Sequence, residues 1–124
     1  MNVTQKGFDE IVQRALRKIP REIRTHLDNL VICVEKRPTR ALLKEMKVPR
    51  GETLLGLYQG SALTERMATD PPLEPDRIIL FQEPIEESCD SHREMAREIE
   101  VTLVHEVAHA FGISEERLKE LGYD

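Results

Sequence analysis

The chain has 124 residues, 40% of them hydrophobic and 33% charged, with a formal net charge of −5. That length predicts a single domain (1–124) with its own core, and the acidic balance disfavours a nucleic-acid backbone as partner. No apolar run approaches the ~20 residues that cross a bilayer, and the polar N-terminus does not read as a signal peptide. Cys33 and Cys89 are therefore expected as reduced thiols in a cytoplasmic protein, one in a strand and one in a loop.

Phe8, Ile11, Val12, Ala15, Leu16 and Ile19 recur at helical spacing and predict a first amphipathic helix, which Pro20 ends. Arg21 to Leu27 adds a short turn. Leu30-Val31-Ile32-Cys33-Val34 reads as a buried strand broken by Arg37-Pro38. Leu54 to Gly60 and Arg77 to Gln82 are a second and a third strand, and 70–76 between them is a stiff Pro-rich loop. Helix, strands and then helices predict an α+β domain, a small sheet packed on a long helix.

That helix is predicted over His92 to Phe111. Ser91-His92-Arg93-Glu94 has the form of a capping box, and Met95, Ile99, Leu103, Val107 and Ala110 make a core-facing stripe. Arg93, Glu94, Arg97, Glu98 and Glu100 are expected on the solvated face. After Gly112, Ser114 caps a short terminal helix through Leu121, ended by Gly122.

His105-Glu106-Val107-Ala108-His109 lies near the end of the long helix. At ~100° per residue, two histidines four apart share one face and can take adjacent corners of a zinc tetrahedron. Glu106 sits between those turns, where a general base can reach a metal-bound water. A third ligand must follow. Gly112 can adopt a left-handed conformation and turn the chain back, and Glu115 then stands three residues on, giving H-E-x-x-H-x-x-G-x-x-E. His105, His109 and Glu115 are the candidate Zn²⁺ ligands, with Glu116 the alternative to Glu115.

Three blocks, LLGLYQGSALTER (54–66), RIILFQEPI (77–85) and HEVAHAFGISEERLKELG (105–122), resemble the small bacterial metallopeptidases with a minimal, matrix-metalloprotease-like zincin domain. The resemblance covers most of the chain, in the family's block order. It implies a zincin-like α+β fold, His105 and His109 as zinc ligands, Glu106 as catalytic residue and a peptide or protein as substrate. Two departures stand out: Glu115 replaces the Asp common at the third-ligand position, and no methionine follows Met95 to form a turn below the metal.

On this reading Glu106 takes a proton from the zinc-bound water and passes it to the leaving amine. Arg77 to Gln82 is a candidate sheet edge for an extended substrate, although its continuous apolar run also suits a core strand. Tyr58 and Tyr123 are candidate oxyanion donors. Two rival functions remain. One is a zinc-stabilised binding domain without chemistry. The other is a metal-dependent endoribonuclease, whose H-G-x-x-H motif has Gly where this chain has Glu106; no basic patch is read here.

Overall fold

Ile78-Ile79-Leu80-Phe81 is apolar at every position, and a strand with that pattern needs cover on both faces. The computed structural model, which describes residues 1–60 and 76–123, supplies it. In chain order the elements are α1 (Gln5–Lys18), α2 (Arg21–Leu27), β1 (Val31–Glu35), α3 (Arg40–Glu45), β2 (Gly56–Gln59), β3 (Arg77–Phe81), α4 (Gln82–Ser88), α5 (His92–Phe111) and α6 (Glu115–Leu121). Ile78 and Leu80 join the main core with residues of α1, α2 and α5. Ile79 and Phe81 join Leu57 in a smaller cluster, flanked by Leu42 of α3.

The sheet order is β1-β3-β2, with β1 parallel and β2 antiparallel to β3, so the fold is α+β on a small mixed sheet. This corrects the edge role expected of Arg77 to Gln82. β3 carries ladder partners on both sides and is the central strand. Gln82 does not extend it but opens α4 directly, with Phe81 as the preceding residue. Pro84 falls in the first turn of α4, where its missing N–H has no helical partner to lose.

The main core forms where two helical stripes meet. Phe8, Ile11, Val12 and Ala15 of α1 are buried, as are Met95, Ile99, Leu103 and Val107 of α5, all in one cluster. Glu100 departs from its expected solvated position: it is only 5% exposed. Its carboxylate is satisfied there by Arg97 Nη1 at 2.9 Å and the Tyr123 hydroxyl at 2.5 Å, as a buried charge requires. α3 has no counterpart among the expected elements, because six residues are too few for a helical period to show. Its signal is Thr39, whose hydroxyl accepts from the Leu42 N–H at 3.0 Å.

Both cysteines are free thiols, Cys33 in β1 and Cys89 buried just beyond α4. Among the described residues no helix is long and apolar enough to cross a membrane. The Pro-rich stretch 70–75 and residues 61–66 lie outside the described residues.

Candidate metal centre

α5 starts and stops where its local chemistry demands. The Ser91 hydroxyl accepts from Glu94 N–H at 3.1 Å, and the Glu94 carboxylate reaches back to the Asp90 N–H at 2.9 Å, one residue beyond the usual capping box. At the other end Gly112 takes φ 70°, ψ 29°, and the Ile113 N–H bonds to the Ala108 carbonyl at 3.0 Å. This is a Schellman closure, which satisfies an orphan carbonyl and reverses the chain. The Ser114 hydroxyl then accepts from the Arg117 N–H at 3.1 Å, so that α6 begins with Glu115.

α6 is tied down at several points. Leu118 is buried in the main core. Tyr123, just past α6, is also buried; its hydroxyl donates to Glu100 and its ring lies 5.0 Å from the Arg97 guanidinium carbon. Burial first, and then the hydrogen bond to Glu100, push the Tyr123 hydroxyl up to about 12. Tyr123 is thus a tether of the C-terminal segment, engaged with Glu100 rather than turned to an oxyanion. On the outer side, Arg117 grips Glu22 of α2 through Nη2 at 2.5 Å and Nε at 2.9 Å. The hydrogen bond from Arg117 holds the Glu22 carboxyl below the usual carboxylate range.

The result at the site is concrete. His105, His109 and Glu115 line one open cleft of about 390 Å³, together with Ile113 and Ser114. Glu116 is not among the residues lining it. Neither imidazole makes a hydrogen bond among the described residues. Two imidazoles and a carboxylate are a donor set suited to zinc. Among the described residues, however, no group of three such donors is gathered closely enough to hold an ion, so the set shares a cleft without being closed.

Glu106 stands on the adjoining flank of α5, toward the sheet. Its Oε1 accepts from the backbone N–H of Tyr58 at 2.8 Å, so β2 holds the carboxylate. Such closeness depends on Gly56: a Cβ there would come within 2.6 Å of Thr102 Cγ2 on α5. The Tyr58 hydroxyl donates to Asp76 Oδ2 at 2.6 Å, and its ring meets Phe111 edge-on, with centroids 6.1 Å apart. Phe111 stacks in turn on His26 of α2 at 4.5 Å. From the sequence, Tyr58 is expected only as an oxyanion donor. Its backbone contact is a tertiary pairing over 48 positions, and only the glycine two residues before it hints at a close approach.

Comparison with known proteins bears on the fold and the family. No curated protein matches the chain. A conserved hypothetical protein from Thermo thermophilus is similar in fold, with a TM-score of 0.52 at 19% identity over 98% of this chain and 100% of its own. The family model described as zincin-like metallopeptidase matches residues 27–123. That span runs from the last residue of α2 to Tyr123 and includes β1 to β3, α5 and α6. The chain belongs to the zincin-like metallopeptidase family.

Proposed function

We propose that the chain is a zinc-dependent peptidase with His105, His109 and Glu115 as the metal ligands and Glu106 as general base. One observation carries the reading: the three donors open onto one cleft while Glu106 is held on the adjoining flank of the same helix. A zinc ion bound there supplies Lewis acidity, polarising the scissile carbonyl and acidifying a water. The remaining work falls to the chain's own residues. The Tyr58 N–H fixes the Glu106 carboxylate in orientation. Glu106 takes a proton from the attacking water on a carboxylate oxygen and delivers it to the leaving amine nitrogen.

With β3 in the middle of the sheet, the strand suited to hold an extended substrate is β2. It is a sheet edge among the described residues, and its Tyr58 amide already reaches Glu106. Main-chain pairing along the rest of that edge, with the Tyr58 N–H left to Glu106, would set a peptide beside the general base.

The test is hydrolysis of a peptide library by zinc-loaded wild type and by Glu106→Gln with its metal content measured. The variant should keep zinc and lose about 10²–10⁴-fold in turnover. Hydrolysis retained by a zinc-loaded variant would overturn the assignment of Glu106. Zinc binding with no hydrolysis by the wild type would favour the binding-domain function.

A further inference from the structure

Residues 36–50 hold six of the chain's 18 basic side chains and a single acid, Glu45, so this segment is strongly cationic within a chain of net −5. No basic patch is expected from the sequence, yet the total charge conceals this segregation. Arg37 is engaged by Glu83 and Glu87. Arg40, Lys44, Lys47 and Arg50 are exposed, and none of their side chains has an ion pair or hydrogen bond among the described residues.

Three of these cations line a recess. Arg40, Lys44 and Arg50 line a cleft of about 660 Å³ whose apolar surface comes from Leu43, Val48 and Pro49. Glu52 also lines it, and Met46 nearby is 45% exposed. The cleft lies on the α3 side of the sheet, where Leu42 covers Ile79 and Phe81, whereas α5 packs with Ile78 and Leu80. It is therefore separate from the candidate metal centre.

The backbone at this cleft is held in a costly form. The Val48 N–H bonds to the Leu43 carbonyl at 2.9 Å and the Lys47 N–H to the Lys44 carbonyl at 3.1 Å, a complete Schellman pair. Its left-handed residue is Lys47, at φ 57°, where glycine is the unstrained choice. The chain thus keeps a charged side chain at a position that favours none.

We propose that this cleft binds an acidic polypeptide segment. Its carboxylates would pair with Arg40, Lys44 and Arg50, and its apolar side chains would cover Leu43, Val48 and Pro49. A nucleic acid fits less well. No aromatic residue occurs in 36–55 to stack a base, and phosphates running beyond the cleft would meet a surface whose remaining charge is net negative. The proposal concerns binding alone and stands apart from the peptidase reading.

The experiment is fluorescence anisotropy on the full chain, in the Glu106→Gln background so that no probe is cut. The probes are a labelled peptide alternating Glu and Leu, the same peptide with Gln for Glu, and a labelled single-stranded oligonucleotide. The acidic peptide should bind best, and added salt should weaken it. Arg40→Gln/Lys44→Gln/Arg50→Gln should weaken it about tenfold with Tm unchanged. Should that variant misfold, Arg50→Gln alone serves instead: it should keep its Tm and still bind the acidic peptide more weakly. Equal binding of the Gln peptide, or wild-type affinity in the folded triple variant, would overturn the proposal. Tighter binding of the oligonucleotide would overturn it in favour of a nucleic-acid surface.

Discussion

α5 and α3 end in the same backbone device and use it differently. Each closes with a left-handed residue and a six-to-one hydrogen bond, Ile113 to Ala108 in one and Val48 to Leu43 in the other. At α5 the residue is Gly112, and the unstrained reversal brings Glu115 to the cleft of His105 and His109. At α3 it is Lys47, and the strained reversal leads into Val48, Pro49 and Arg50, which line the basic recess. Where the chain needs only a turn, glycine suffices. At the α3 turn a lysine holds the left-handed position and the structure tolerates the strain.

The contrast is open to attack at both ends. The largest effect is expected from Glu115→Ala, which removes one of the three proposed ligands and should weaken zinc at least ~10-fold in a competition titration with a chelator. Unchanged affinity would move the third-ligand role to Glu116 or to a water. Gly112→Ala meets no atom within 4 Å, so its cost is conformational. It should lower stability by about 1 kcal/mol in denaturant melts and also weaken zinc, through displacement of Glu115. A destabilised variant with wild-type zinc affinity would show that the Gly112 turn does not position the ligand. Lys47→Gly should do the reverse, raising stability by up to ~1 kcal/mol and leaving zinc binding untouched.

The tether of the C-terminal segment gives a pH signature. Tyr123 is raised from 10.0 to about 12 in the fold, so the unfolded chain ionises first. The stability it contributes is complete below pH 10 and is lost as pH rises toward 12. Thermal melts should fall through that window and fall less in Tyr123→Phe. An identical alkaline profile in the variant would remove Tyr123 from the tether. The smallest effect lies at acid pH. Glu22, held low by Arg117, contributes stability above the ordinary carboxylate range that fades as pH drops through its folded value. Glu22→Gln should flatten that acid limb slightly.

Features written in local chemistry were legible from the sequence. His92 to Phe111 and the helix after Ser114 have the expected ends, because Ser91, Gly112, Ser114 and Gly122 act on backbone groups a few residues away. His105, His109 and Glu115 follow from spacing alone, and the fold brings all three to one cleft. Features that depend on distant partners were not legible. Glu100 sits on a face read as solvated, and only Tyr123 and Arg97 make its burial tolerable. The apolar run of β3 suited either a core or an edge strand, and pairing with β1 and β2 decided the matter. The cationic recess is hidden in the net charge, which sums over the whole chain, whereas a surface is local.

The central claim is that two histidines and Glu115 hold zinc beside Glu106. It is tested most directly by elemental analysis of protein purified without chelators or an affinity metal column, for wild type, His105→Ala and Glu115→Ala. The account predicts close to one zinc per wild-type chain, little in His105→Ala and a marked loss in Glu115→Ala. A folded wild type that stays metal-free after zinc addition would contradict it.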